Sequence, residues 1–397
     1  MNLAFVGSPA EWRDFQSTAG EPRRHLLAAV LSDPAIAASS EWPPSARVAA
    51  DLEELLLDRS VDCLVLAGPI SSRLERLRQA IAAARPCLCM MPLDLDAIAY
   101  HEAAMAADDQ RVVIVPHLPG RLHPAWREFV GHCRSASYGA MRLATLERTG
   151  PAPVSGRLIA ETYAEAVDLV ADLIGEVVEV TAAGDLDAGR LIVHHRTAAG
   201  LVGEIRLLSE PSVRDASPKP VRWRFSAEME HGRATLSFDA GLAGAARICV
   251  EGLASAQTVS GPDGDHDTLS EFSRAVAGEP HTPIWADAAR AAELADSVRI
   301  SLERRRAVDV YHEHHGELAS FKGRMTSLGC GLIWLTLFLL LIVAAGKGLN
   351  LPATDWIAAA AAAVWLFFLA LQTLRWVLPR EIKHSSAAPG RQNGDRA

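Results

Sequence analysis

The stretch Cys87–Asp96, CLCMMPLDLD, decides how the first third of the chain is read. An apolar run stops at Pro92 and gives way to Leu-Asp alternation, as a buried strand does where it leaves a sheet for a loop and helix. Upstream lies an amphipathic helical stretch, SRLERLRQAIAAA, and downstream another, DAIAYHEAAMAADD. NLAFVG, HLLAAVLSD, VDCLVLAGP and RVVIVPH extend the pattern as further strands. Residues 1–118 are therefore expected to form an α/β domain, a Rossmann-like doubly wound parallel sheet covered on both faces. Such sheets take ligands at the carboxyl ends of their strands.

From about Gly139 the period changes. AMRLATLER, EVVEVTAAG, RLIVHHRTA, LVGEIRLLS, VRWRFSAEM, RATLSFDA and RICVEGL alternate apolar and polar residues, with turn signals GDLDAG and EHGR between them. This predicts, over residues 119–310, an α+β domain with a large, mostly antiparallel sheet, one face covered. ETYAEAVDLVADLIG reads as a helix that covers it, and TLSEFSRAVAG and WADAARAAELADSVRISLERRR as closing helices. His194 and His195 fall mid-strand on opposite faces, so they cannot chelate together.

The 397 residues carry a formal charge of −9, unevenly spread. From Lys322 onward there are eight Lys and Arg against three Asp and Glu, which leaves −14 on residues 1–321. An acidic globular part argues against nucleic acid as a partner. The six cysteines are scattered through apolar surroundings and read as buried free thiols in a reducing compartment. No metal site is expected, because Cys87 and Cys89 have no second pair. The start, MNLAFVGSPAEW, lacks the features of a secretory signal and reads as a first strand.

Leu328–Gly346 and Trp356–Leu374 contain no charged residue, and each is 19 residues long. As helices they would reach roughly 28 Å, close to the hydrocarbon thickness of a bilayer. Their short connection, KGLNLPATD, predicts a transmembrane helical hairpin over residues 326–376, after a juxtamembrane segment, 311–325, and before a disordered polar tail, 377–397. Lys322 and Arg324 precede it and Arg375, Arg380 and Lys383 follow it, whereas Lys347 stands alone between the spans. This bias places the globular part and both termini on the cytoplasmic side of an inner or plasma membrane.

Over residues 1–310 the order of segments resembles the Gfo/Idh/MocA oxidoreductase family. DLEELLLDRSVDCLVLAGP resembles the family's run into the loop beside the nicotinamide, and RLRQAIAAARPCLCMMPLDLD its Glu-Lys-Pro loop. PGRLHPAWREF resembles its Arg-x-x-Pro start of the second domain, VDLVADLIGEVVEVTA its helix end and next strand, and the stretch from Asp267 to Arg306 its C-terminal helices. The resemblance implies NAD(P)-dependent oxidation or reduction of a sugar or cyclitol hydroxyl. The hairpin lies outside the common family pattern.

Residue by residue, the implied site departs from the family. The phosphate loop, FVGSPAEW, keeps Gly7 and Ser8, but Pro9 and Trp12 replace later glycines. Proline has no N–H for a phosphate, so the loop is either a weak dinucleotide loop or an ordinary strand-to-helix turn. Ser32 or Asp33 either reads an adenosine ribose, favouring NAD over NADP, or caps the next helix. Gly68, Pro69 and Arg73 lie in the loop beside the nicotinamide, where Arg73 either meets an acidic ligand or stands solvated at a helix start. The family lysine is Met91, before Pro92. The family's Asp-x-x-x-His positions, counted from Asp168, are Glu161 and Glu165. Four residues apart on one helix face, these carboxylates either point into the cleft as general-base candidates or form a solvated acidic face.

The expected function is thus a membrane-anchored, oxidoreductase-like protein with an eroded NAD(P) and catalytic site, binding a nucleotide or sugar-like small molecule, with NAD bound weakly or not at all. The alternatives are an active NAD-dependent oxidoreductase on a sugar, polyol or lipid-linked glycan, and a non-catalytic dimeric scaffold. A homo-oligomer is expected through the second-domain sheet.

Overall fold

The computed structural model describes residues 1–310 except 20–25, 32–41, 44, 94–96, 152–157, 211–219, 243, 252–256 and 260–266. The described residues belong to one compact unit, Met1–His312. Both apolar runs of the expected hairpin, with the segments around them, fall outside the described residues. Among the described residues no helix is long and apolar enough to cross a membrane.

The first sheet grows from short apolar runs joined by helices. In chain order these are β1 (Asn2–Val6), α1 (Pro9–Ala19), β2 (Leu26–Leu31), β3 (Arg47–Val48), α2 (Leu52–Leu57), β4 (Cys63–Leu66), α3 (Ile70–Ala82), β5 (Cys87–Met90), α4 (Ala97–Gln110) and β6 (Ile114–His117). Every residue of β4 and β6 is buried, which is why they read as continuous apolar runs. The six strands are parallel, in the order β3-β2-β1-β4-β5-β6. That order reverses between β1 and β4 and opens a crevice at their carboxyl ends. Helix α1 is laid onto the sheet by aromatic packing: the Phe5 ring lies 5.1 Å from Trp12 and 6.1 Å from Phe15. Trp12 thus turns inward and is buried between α1 and β1.

The second half continues with α5 (Pro119–Leu122), α6 (Pro124–Cys133), β7 (Met141–Pro151), a π-helical turn (Leu158–Tyr163) and α7 (Ala164–Ile174). Then follow β8 (Val177–Asp185), β9 (Arg190–Thr197), β10 (Val202–Glu210), β11 (Arg222–Met229), β12 (Gly232–Phe238), β13 (Ala246–Val250), β14 (Gln257–Val259), α8 (Thr268–Val276), α9 (Trp285–Arg304) and β15 (Val308–Asp309). The nine-stranded sheet runs β14-β13-β12-β11-β7-β10-β9-β8-β15 and is antiparallel except at the β7–β10 pair. Alternation sorts its faces: along β9, His194 is exposed and His195 fully buried. Four described cysteines are buried, but Cys249 on β13 is exposed, because its position falls on the open face.

One helix joins the halves of this unit, and an ion network within the second half lies beside it. Helix α9 puts Trp285, Ala288 and Ala292 into the core beneath β5 and Ala291, Leu294 and Val298 into the core beneath the second sheet. Beside it, the Arg121 guanidinium reaches from α5 to both Asp168 oxygens, Nε at 3.0 and 2.9 Å and Nη2 at 2.7 Å, and its Nη1 meets Asp287 at 3.1 Å. Asp168 is only 3% exposed. Removing the cation leaves a buried carboxylate uncompensated, at a cost of about 3–5 kcal/mol. Arg121→Met is expected to lower stability by about that amount in denaturant unfolding, with much of the loss recovered in the Arg121→Met/Asp168→Leu double variant.

Candidate functional site

The crevice at the carboxyl ends of β1 and β4 is built by backbone donors. Helix α1 begins at Pro9, a first helical position where a missing N–H costs little. Ser8 caps it: the Glu11 N–H donates to Ser8 Oγ at 3.3 Å, and Glu11 Oε2 accepts the Ser8 N–H at 2.8 Å and its hydroxyl at 2.9 Å. This is a capping box. The other carboxylate oxygen, Oε1, accepts the Gly68 N–H at 3.0 Å. One acidic side chain therefore bridges the loops after β1 and β4 where the strand order reverses. Gly7 is required by close approach and Gly68 by its backbone conformation. A Cβ on Gly7 would stand 2.9 Å from the Ala67 Cβ and 3.0 Å from Glu11 Oε2. Gly68 has φ +81°, and a Cβ there would lie 2.6 Å from Arg76 Nη1.

Arg73 is not the solvated helix-start residue that was one of its two expected readings. It is 8% exposed; its Nε donates to the Gly68 carbonyl at 3.0 Å and its Nη1 to the Pro92 carbonyl at 3.0 Å. Its Nη2 stands 3.8 Å from Glu11 Oε1. The long side chain folds back from α3 and ties the loop after β4 to the Met91–Pro92 loop, whose peptide bond is cis. Pro69 starts α3 on the exposed side. Ser32 and Asp33 lie outside the described residues.

Further along the same edge of the sheet, a cavity of about 230 Å³ lies between the β5 loop, α5, α7 and α9. Met90, Met91, Pro92, His117, Glu165 and Asp168 line it. A second cavity, of about 370 Å³, shares Pro92, Tyr100, Ala164 and Ala292 with the first and extends to Asp296 and Arg299. The structure thus brings Met91 and Glu165 to one space. Glu161 lies in the π-helical turn, and its side chain is outside the described residues. The expectation of one α-helical face for both acids took the helix as uninterrupted; the wider π turn ends between them. Buried Tyr163 pins that turn, donating its hydroxyl proton to His195 Nε2 at 2.7 Å while His195 Nδ1 donates to the Gly203 carbonyl at 3.3 Å.

Protonation follows from desolvation and neighbouring charge. Glu165 lines the cavity and its side chain is solvent-exposed. Desolvation by the protein packed around it raises its carboxyl to about 7, with Arg148 pulling it down and Asp168 pushing it further up, and its exposure limits how far the desolvation acts. His117, at the end of β6, is pushed down to about 3 by burial and by Arg73, so its imidazole is neutral at physiological pH. Burial also raises Asp168, but the Arg121 contacts oppose it and hold the pair ionised. The sequence reading missed Glu11 and His117. The first was signalled by the Ser-x-x-Glu spacing of SPAE; the second, as the last residue of a buried strand, has no local signal. Among the described residues no group of three His, Cys, Asp or Glu is placed to hold a metal ion.

No protein-family model matches the sequence, nor does any curated protein. Solved structures do. UDP-N-acetylglucosamine 3-dehydrogenase GnnA from Acidithiobacillus ferrooxidans superimposes with a TM-score of 0.62 at 22% identity, over 77% of this chain and 98% of that one. The fold is that of the Gfo/Idh/MocA-type dehydrogenases. GenD2 of gentamicin A biosynthesis, in complex with NAD, matches at 20% identity and a TM-score of 0.62, over 79% of this chain and 97% of its own. A myo-inositol dehydrogenase from Corynebacterium glutamicum gives 18% and 0.61, over 79% and 99%.

The raised Glu165 pKa has a checkable sign. Its folded value lies above the ordinary 4.5, so the folded state holds this proton more tightly, and its contribution to stability is lost as pH rises from about 4.5 through about 7. A ¹³C carboxyl titration should place its midpoint near 7, and Arg148→Met should move the midpoint higher.

Proposed function

We propose that this chain is a membrane-anchored protein of dehydrogenase fold whose cavity around Glu165 binds a small sugar-like ligand, and that it does not run the hydride transfer its fold implies. The observation that carries the reading is the position of Met91. Met91 lines the cavity, at the position that the family resemblance gives to a lysine, and a thioether neither donates a proton nor stabilises an alkoxide. The neighbouring imidazole, His117, is held neutral by burial and is too weak a base for neutral pH. The structural neighbours support a polar, sugar-sized occupant, since they include dehydrogenases of a nucleotide sugar and of myo-inositol. NAD is the cofactor this fold would take, bound weakly here or not at all.

One observation favours a second reading. A carboxyl that lines a cavity and is raised above its usual range by the protein around it is suited to general base catalysis, so Glu165 is the residue on which an active NAD-dependent oxidoreductase would rest. Titrating NADH into the full chain and following its fluorescence separates the two. The expected result is no micromolar binding and no turnover of a polyol panel, in the wild type and in Met91→Lys alike. Micromolar affinity with Glu165-dependent turnover would establish the enzyme.

Anchoring belongs to the same proposal and is supported by the two 19-residue uncharged runs and the flanking basic residues. A second copy pairing across the open face of the nine-stranded sheet completes it. Deleting residues 326–376 is expected to move the protein from the membrane fraction to the soluble fraction. Full-length protein that stays in solution without detergent would rule the anchor out.

A further inference from the structure

We propose that the crevice between β1 and β4 is an anion site that the chain fills with its own Glu11 carboxylate, so that a phosphate-bearing ligand enters only by displacing Glu11. The inference rests on the reading above in that it gives a cause for weak dinucleotide binding, and the test below separates the two. The donors point to an anion. The Ser8 N–H and hydroxyl hold one Glu11 oxygen at 2.8 and 2.9 Å, and the Gly68 N–H holds the other at 3.0 Å. These groups come from two loops that converge where an open α/β sheet takes its ligand. One of them caps α1, an 11-residue helix whose amino end favours negative charge.

Two arginines complete the site. Arg73 Nη2 is 3.8 Å from Glu11 Oε1, and Arg76 packs over Gly68, close enough that its guanidinium would meet a Cβ there at 2.6 Å. Burial weakens the hold of Arg76 on its proton and the Glu11 charge strengthens it, so this cation has its compensating anion inside the protein. The donors and cations thus suit two oxygens of a small anion, and a carboxylate supplies them. A dinucleotide pyrophosphate brought to the same loops would find its donors engaged and a like charge in its place. Glu11 does in this chain what a phosphate does in a loaded crevice: it joins the loop after β1 to the loop after β4.

The consequence is a test by chemical rescue. Thermal unfolding of the full chain in detergent is followed with and without ADP, with inorganic phosphate as a second probe. The wild-type midpoint is expected not to move. Glu11→Ala frees the donors and should lower the midpoint by about 2–4 °C, and ADP should restore most of that loss because an anion that binds only the folded state stabilises it. Adding Arg76→Ala to Glu11→Ala should abolish the rescue. Glu11→Gln, which keeps an acceptor without the charge, should show a smaller loss and a partial rescue, and it serves where the alanine variant does not fold. A wild-type midpoint that rises with ADP as far as the variant's, or Glu11 variants that ignore both anions, would overturn the proposal. NADH binding by the wild type would defeat the cavity reading; unresponsive Glu11 variants in a protein that does not bind NADH would defeat this inference alone.

Discussion

The Arg121 guanidinium is the constraint on which the rest of the unit depends. It is held by Asp168 of α7 and Asp287 of α9, so one buried cation sets the positions of two helices against α5. A buried charge without its partner is far costlier than the pair itself. That fixes the turn of α7 that carries Glu165, one turn before Asp168, and directs Glu165 into the cavity. Pinning the preceding π turn to the sheet through Tyr163 and His195 completes the frame. The cavity is therefore a product of packing and charge balance within one unit, formed before any ligand arrives.

A second internal balance acts at the crevice. In a loaded dinucleotide fold the loop donors meet phosphate oxygens; here they meet Glu11, and Arg73 spends its donors on the carbonyls of Gly68 and Pro92. Both features make the loops self-sufficient. The departures visible in the sequence at Pro9, Trp12 and Met91 follow the same logic. Proline suits a helix start that presents no N–H to a ligand, tryptophan packs between α1 and β1, and methionine lines the same cavity as the Glu165 carboxyl.

Much of the fold was legible in periodicity. CLCMMPLDLD marked β5 and its exit, and the change from continuous to alternating runs near Gly139 marked the passage from the parallel to the mostly antiparallel sheet. The parallel β7–β10 pair was not legible, because strand pairing over that distance leaves no local pattern. Nor was the burial of Arg73, whose length lets a residue at a helix start reach inward to carbonyls from two other loops. The π turn escaped because an inserted residue in a helix changes hydrogen bonding more than composition. Glu11 could have been found, since Ser-x-x-Glu at a helix start is a capping signature, but its bond to Gly68 N–H depends on tertiary approach.

The central claim is that the ligand space of this protein is the Glu165 cavity and that the crevice is filled from within. A crystal structure of the full chain soaked with NADH tests it most directly. The account predicts Glu11 on the N–H groups of Ser8 and Gly68, with no nucleotide density between β1 and β4. A pyrophosphate on those two N–H groups, with the Glu11 side chain turned away and a nicotinamide beside Met91, would contradict it.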